Sequence, residues 1–258
     1  SLDRLIQEIP ASSYGLIGIS LSVRGIIDLD GIIRFIPKLK WHNIDLKSLL
    51  EQRYQVPVFI DNDGNLAASM EYRLHPQYRE LTVLSITDVI SCGMITNGQL
   101  IRGYLGFANA VGHHTINMEE TRQCSCGKYG CWEQYCSEQC LIDEMNLRLE
   151  TPISDIDSFI RLVKEQNSDA LEILDRYIEN LAIGLSNIIF FINCEMIILN
   201  SRLIQSLPYL LPEIIKRTIL PITHGQEILI STLGKEAPIL GASRKAIEEF
   251  FETLSTRL

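Results

Sequence analysis

A short segment rich in cysteine and glycine restricts the fold of this 258-residue chain more than any other feature. The sequence reads Gly-His-His at 112–114 and Cys-Ser-Cys-Gly-Lys-Tyr-Gly-Cys at 124–131. Three thiols and one imidazole are donors that zinc prefers in closed tetrahedral sites. Two glycines let the backbone fold back, so that the last thiol can join the first two. The segment predicts a structural zinc ion with no open coordination position, and its ligands are His113, Cys124, Cys126 and Cys131.

Two alternatives remain open for this segment. Its cysteines could be buried free thiols that pack as small hydrophobes, and spacing alone does not decide whether His113 or His114 is the ligand. The chain has seven cysteines and no signal-peptide pattern at its N-terminus, which favours a reducing compartment, where clustered thiols more often bind metals than form disulfides. We therefore expect a cytoplasmic protein.

Charge and hydropathy exclude two classes of function. The formal net charge is −9, so the chain repels phosphate backbones on average and is a poor candidate for direct nucleic-acid binding. The longest apolar run, residues 182–194, is too short to span a membrane and predicts a buried helix instead. We expect no membrane partner.

The hydrophobic pattern alternates between strand and helix periods. It predicts strands at 14–22, 32–36, 56–60, 81–86, 196–199 and 227–231, a hairpin at 93–102 with a type I′ turn at Asn97-Gly98, and helices at 2–9, 45–54, 65–74, 153–165, 169–191, 203–216 and 242–258. This order indicates an α/β protein with mixed sheets. A start on one short helix and a single buried strand suggests a fragment of a longer protein.

The cysteine segment also carries a family resemblance. The string Cys-x-Cys-Gly-x-x-Gly-Cys-x-Glu at 124–133, preceded by Gly112-His113, resembles the ROK family of sugar kinases and sugar-responsive transcriptional repressors. The similarity extends over nearly the whole chain, through Trp41-His42-Asn43, Asn62-Asp63, Asn65, Ala67-Ala68, Glu71 and Gly241-Ala242.

The resemblance implies an actin-like, two-lobed α/β fold of the RNase H-like ATPase class, with mixed sheets and a zinc-binding loop. Residues 1–82 would form a partial N-terminal lobe, completed by the C-terminal helix 242–258, and residues 83–241 the C-terminal lobe with the zinc loop at 112–133. A hexose-type ligand would occupy the cleft between the lobes. Family members form dimers or tetramers, and the repressors contact DNA through a helix-turn-helix domain that precedes the sugar-binding body.

Family motifs also suggest which residues would contact the sugar. Asn62 and Asp63 would bind hydroxyls, Asp63 in the position of the kinase general base. His113 would contact both zinc and sugar, Glu133 would accept hydroxyl hydrogen bonds, and Gly25 would let the backbone approach the ligand. Each hydroxyl both donates and accepts, so carboxylates, an amide and an imidazole suit such a ligand. The alternatives are a plain turn with a helix N-cap at Asn62-Asp63 and a solvated carboxylate at Glu133.

Three departures from the family pattern argue against a kinase. Where the kinases have a glycine-rich phosphate loop, this chain has Thr87-Asp88-Val89-Ile90-Ser91. Where they have a Gly-Gly pair beside the adenosine, it has Asn200-Ser201. The first phosphate hairpin, which is expected before Tyr14, does not occur. Phosphoryl transfer relies on such loops to position the phosphates. The sequence therefore predicts a non-catalytic member that binds no ATP.

A further departure weakens the sugar site. Ala110 stands where the family has a sugar-binding Glu, a loss of roughly 1.5–3 kcal/mol of charged hydrogen bonding. We predict the sugar-effector-binding and oligomerisation domain of a bacterial transcriptional regulator, of the xylose-repressor type. The alternatives are a member without a ligand that acts through protein–protein contacts, and a sugar-kinase fragment.

Overall fold

A computed structural model of the chain describes residues 2–10, 15–223 and 225–255. Its strands are β1 Ile19–Val23, β2 Ile26–Ile27, β3 Ile33–Ile36, β4 Trp41–Ile44, β5 Val58–Asn62, β6 Leu81–Ile86, β7 Ile90–Thr96, β8 Gln99–Leu100, β9 Met196–Ser201 and β10 Glu227–Ile230. Its helices are α1 Leu2–Glu8, α2 Leu46–Tyr54, α3 Asp63–Leu74, α4 Glu133–Cys136, α5 Glu138–Asn146, α6 Ile156–Lys164, α7 Ser168–Ile192, α8 Arg202–Ser206, α9 Leu211–Thr218 and α10 Ala237–Ser255.

The strands of the described residues form three sheets. β1 pairs with β5 in parallel, and β2, β3 and β4 form an antiparallel sheet. The third sheet has the order β10-β9-β6-β7-β8, in which β10, β9 and β6 are parallel and β7 and β8 run antiparallel to their neighbours. The predicted mixture of parallel and antiparallel pairing is confirmed.

The five-stranded sheet is the centre of the largest core. β6 and β9 are buried along their whole length, and β7 at every residue but its last, Thr96, as expected for strands covered on both faces. The core on one face includes residues of α5, α6, α7 and α9, and a smaller cluster on the other face includes residues of α3. A separate cluster lies among the N-terminal strands.

The C-terminal helix connects the two ends of the chain. α10 packs against α3 and also against β1 and β5. Gly241 allows this approach, because a Cβ atom there would lie 2.1 Å from the carbonyl oxygen of Leu66 on α3. The division into lobes at residue 82 stays a prediction.

Most predicted elements are present, with shifted ends. Asp45 caps α2 as predicted, and Asn97 and Gly98 both have the positive φ of a type I′ turn. The predicted strand at 14–22 begins only at Ile19, and Tyr14 lies outside the described residues, as do 256–258 of the predicted last helix. The predicted helix at 203–216 is instead α8, a 3₁₀ turn and α9, because Pro208 and Pro212 cannot continue a helix from the preceding turn.

Candidate functional site

One pocket contains all five residues predicted to bind a ligand. Gly25, Asn62, Asp63, His113 and Glu133 line a single cavity beside the metal-ligand cluster, with about 790 Å³ of empty space including its opening. Apolar side chains such as Phe35, Ile90 and Phe107 complete the walls. The pocket thus combines apolar walls with a few converging polar groups, which is the usual pattern for small ligands.

Most of the hydrogen-bonding groups of the Asn62 side chain are already bonded to the protein backbone. Its Oδ1 accepts from the backbone N–H groups of Gly64 at 2.8 Å and Asn65 at 3.4 Å, so it is the N-cap of α3. Its Nδ2 donates to the carbonyl oxygen of Gly25 at 2.9 Å. The helix-cap alternative therefore describes this side chain, and one amide N–H is left for a ligand.

Asp63 is the buried carboxyl group of the pocket. It begins α3, only 5% of it is exposed, and its Oδ1 accepts from the Gly64 N–H at 3.0 Å. Burial raises the pKa of Asp63 to about 6, although Arg24, 3.7 Å away, favours the charged form. A carboxyl group so placed can both accept and donate hydrogen bonds near neutral pH.

Gly25 has a packing role that the sequence did not reveal. A Cβ atom at this position would lie 2.5 Å from the carbonyl oxygen of Phe35 and 2.9 Å from Ile36 Cγ1. The residue lines the pocket, but the space its missing side chain leaves is filled by β3. Close packing of the β2–β3 sheet therefore requires glycine here, whether or not a ligand is present.

The four predicted metal ligands converge on one point. One donor atom from each of His113, Cys124, Cys126 and Cys131 lies within 4.8 Å of all the others. Cys126 Sγ and Cys131 Sγ are 3.6 Å apart, and Cys124 Sγ is 3.5 Å from His113 Nδ1. A tetrahedral zinc site with ordinary bond lengths has ligand-to-ligand distances of about 3.5–3.8 Å, and these two donor pairs already have that spacing.

The structure answers the question of which histidine faces the thiols. His113 ends a 3₁₀ turn, Val111–His113, and presents Nδ1 to Cys124, whereas the ring of His114 lies 5.9 Å from that of Phe191. Burial raises the pKa of Cys131 to about 11. A dication in the cluster would favour the thiolates over the thiols, with release of protons.

Glu133 links the metal-ligand cluster to the pocket. Its side chain is only 12% exposed, and Oε1 lies 3.1 Å from Cys124 Sγ and 3.5 Å from His113 Nδ1. A solvated carboxylate, the alternative considered above, does not describe it. Ala110 also lines the pocket, so the position that lacks the family carboxylate does face the same space.

Several pocket residues were missed by sequence reasoning. Arg24 lies between β1 and β2 and contacts both Asp63 and Asp88. Asn109 has a φ of 77°, a conformation that Asn tolerates better than most residues, and its Nδ2 donates to the Ile101 carbonyl oxygen at 2.8 Å. A lone Asn in a loop and a lone Arg in a turn carry no spacing signal that could have identified them.

The segments predicted to have lost nucleotide binding have other partners here. Thr87–Val89 of the predicted loop is a turn, with the Thr87 N–H donating to the Val89 carbonyl oxygen at 2.9 Å, and Ile90 and Ser91 belong to β7. Asn200 Nδ2 donates to the Gly234 carbonyl oxygen at 2.9 Å, and Ser201 caps α8.

None of the described helices is long and apolar enough to cross a lipid bilayer.

Comparison with known proteins identifies relatives among both regulators and kinases. The chain is 36% identical over 260 residues to the xylose repressor of Bacillus subtilis strain 168, an alignment that covers 98% of this chain and 67% of the repressor. The chain thus spans about two thirds of the length of the curated relatives it matches.

Two solved structures share the fold at low sequence identity. A ROK family glucokinase from Streptomyces griseus, in complex with glucose and AMPPNP, matches 96% of this chain and 89% of its own with a TM-score of 0.82 and 21% identity. A ROK family transcriptional regulator, a homolog of the E. coli MLC protein, matches 91% of this chain and 63% of its own with a TM-score of 0.78 and 22% identity. The predicted actin-like fold class is confirmed. The model of the ROK family matches residues 1–249, and the chain belongs to this family.

Proposed function

We propose that the chain is the sugar-effector-binding and oligomerisation body of a bacterial ROK transcriptional regulator. The observation that carries the proposal is the convergence of Asp63, His113 and Glu133 on one pocket whose wall includes the metal-ligand cluster. The similarity to xylose repressors points to a pentose such as xylose as the effector. With a net charge of −9, this body is a poor DNA-binding surface, so DNA contact would belong to another part of a longer cytoplasmic protein.

Zinc has a structural role in this proposal. The ion would be held by His113 Nδ1 and the thiolates of Cys124, Cys126 and Cys131, and four protein ligands leave no position for water. Its contribution would be to fix the loop at residues 112–133. Held in that way, the loop presents Glu133 and the free ring nitrogen of His113 to the ligand.

Calorimetric titration with D-xylose, L-arabinose, glucose and N-acetylglucosamine tests the proposal. We expect saturable binding of at least one neutral sugar. Glu133→Gln should lower that affinity roughly ten- to hundred-fold, because it removes a charged acceptor. Glu119→Gln is the matched control, since Glu119 is exposed and outside the pocket. If no sugar binds, the sensor role is wrong and the alternative of a protein that acts through protein–protein contacts is favoured.

A sugar kinase remains the second candidate because of Asp63. This buried carboxyl lies in the kinase base position and its pKa, raised to about 6 by burial, suits proton transfer near neutrality. Against it, the turn where the family's phosphate loop would be has no glycine, its Asp88 is ion-paired with Arg24, and Asn200 and Ser201 are committed to hydrogen bonds. We expect no sugar phosphate on incubation of the chain with sugar and Mg-ATP. Stoichiometric or catalytic product would restore the kinase.

A further inference from the structure

Three charged side chains from different sheets meet beside the pocket. Asp88, in the turn between β6 and β7, accepts from Arg24 Nη1 at 2.5 Å and forms a second ion pair with Lys38 Nζ. Arg24 lies between β1 and β2, and Lys38 follows β3. The two cations therefore belong to the N-terminal sheets and the carboxylate to the five-stranded sheet. We call this set the Asp88 cluster.

The two sides of the Asp88 cluster differ in exposure and in backbone hydrogen bonding. Asp88 lies on a turn between β6 and β7, two strands that are buried at every residue near the turn. Two hydrogen bonds hold the turn: the Thr87 N–H donates to the Val89 carbonyl oxygen at 2.9 Å, and the Glu138 N–H donates to the Thr87 carbonyl oxygen at 2.5 Å. Arg24 and Lys38 have side chains that are 53% and 67% exposed. If the cluster opened, the loops that carry the cations would be the parts to move.

Arg24 connects this cluster to the pocket floor. Its Nε lies 3.7 Å from Asp63 Oδ2, while its Nη1 contacts Asp88. Arg24 itself, Pro37 next to Lys38, and Val89 next to Asp88 all line the pocket. A ligand that engages Asp63 therefore changes the surroundings of the same guanidinium group that holds the two sides of the cleft together.

We propose that the Asp88 cluster is an ion-pair latch that holds the cleft closed and couples closure to ligand binding at Asp63. The inference rests on the proposed function for the identity of the ligand. The latch sets the rate at which a bound sugar is released, because the side of the pocket through which the sugar leaves opens only when Asp88 separates from Arg24 and Lys38. Solvent-exposed ion pairs are weakened by salt, so exchange should speed up with ionic strength.

Stopped-flow measurement of sugar release tests the latch. Asp88→Asn should raise the dissociation rate about two- to tenfold, the range set by two partly exposed ion pairs, and should abolish most of its salt dependence. Lys38→Met should raise it less, and should add little in the Asp88→Asn background, since both changes break one cluster. The matched control is Asp175→Asn, which breaks a surface pair with Arg217 between α7 and α9, outside the pocket, and should leave the rate unchanged.

Hydrogen exchange without sugar gives an independent readout. Backbone amides of β2 and β3 should exchange faster in Asp88→Asn than in the wild type, while those of β6 and β9 should not change. Unchanged exchange in β2 and β3 would overturn the latch even if no sugar binds. If a sugar binds and both its release rate and the exchange pattern are insensitive to Asp88→Asn, the latch is wrong and the proposed function stands.

Discussion

Asp63 lowers the stability of the fold through the burial of its carboxyl group, while its proposed role is to strengthen ligand binding. It is 5% exposed and its pKa is raised by burial to about 6, against about 3.9 in an unfolded chain. Its ionised form is therefore disfavoured in the folded protein. The cost to stability is absent below about pH 4, grows between about pH 4 and pH 6, and is complete above about pH 6.

We predict that Asp63→Asn stabilises the fold and weakens ligand binding. The amide can still accept from the Gly64 N–H, and loss of the buried charge should raise the free energy of unfolding by on the order of 2–3 kcal/mol at pH 7. The gain should vanish near pH 4. Urea denaturation at both pH values measures it, and the same variant should lose roughly ten- to hundred-fold in sugar affinity. A loss of stability at pH 7 would contradict the burial argument.

Single residues also show where sequence reasoning reached its limit. The convergence of the four predicted metal ligands was predictable because three of them lie within eight residues and two glycines allow the chain to fold back, and the place of Glu133 in the pocket was predicted from the family motif. Arg24, Asn109 and the pair of Asp61 with Arg102 were not, since each depends on a contact between distant segments. Asp61 is 2% exposed and accepts from Arg102 Nη1 at 3.0 Å, yet the two residues are separated by a helix and three strands.

At the level of elements, α7 and the metal loop are packed against each other without spare space. Trp132 follows the predicted ligand Cys131, is fully buried, and donates from its indole nitrogen to the Asn180 carbonyl oxygen at 2.9 Å. A Cβ atom on Gly184 would lie 2.0 Å from this ring. Glycine in the middle of a helix is unfavourable by itself, and here the buried indole explains it.

We predict that Gly184→Ala destabilises the protein despite a better helix propensity. Alanine is favoured over glycine by about 1 kcal/mol in a helix, but displacement of a fully buried indole typically costs about 1–3 kcal/mol and sometimes more. Thermal unfolding should therefore begin at a lower temperature in the variant. The neighbouring Ile183→Ala, at a 46% exposed position, should have a much smaller effect. A higher melting temperature for Gly184→Ala would show that the loop can move away.

Element prediction succeeded where the pattern is local. α7 and the β7–β8 hairpin follow from apolar spacing and an Asn-Gly turn, and α2 from its Asp45 cap. β4 was not predicted, because Trp41, His42 and Asn43 are exposed and lack the alternation that marks a half-buried strand. Its pairing with β3 is a tertiary contact that a local pattern does not report.

At the scale of the whole molecule, the metal-ligand cluster lies between the pocket and the largest core. His113 and Glu133 face the pocket, whereas Cys131 is fully buried and adjoins Trp132. A change in the cluster should therefore affect both the pocket and the largest core. The fold class was predictable from the family motif, while the lobe boundary at residue 82 and the oligomeric state stay predictions.

We predict one zinc ion per chain and a coupled loss of order when it is removed. Cys126→Ser, or a strong chelator, should abolish the zinc measured by elemental analysis, speed hydrogen exchange across residues 112–133, lower sugar affinity and reduce oligomer size in light scattering. Cys140→Ala is the control, because this buried thiol lies outside the cluster and its loss should leave zinc content unchanged. Equal affinity and equal oligomer size after chelation would show that the ion only holds its own loop.

The two tryptophans lie in different environments, so their fluorescence should report on two different parts of the molecule. Trp132 is fully buried next to the predicted metal ligand Cys131, and Trp41 is 37% exposed on β4, which follows Lys38 in the chain and pairs with β3. The emission of the first is sensitive to solvent entry at the thiols, and that of the second to movement of the N-terminal sheet. One fluorescence spectrum, resolved into its blue and red components, should thus report loss of the proposed zinc ion and the proposed opening of the cleft as separate events in the unlabelled protein.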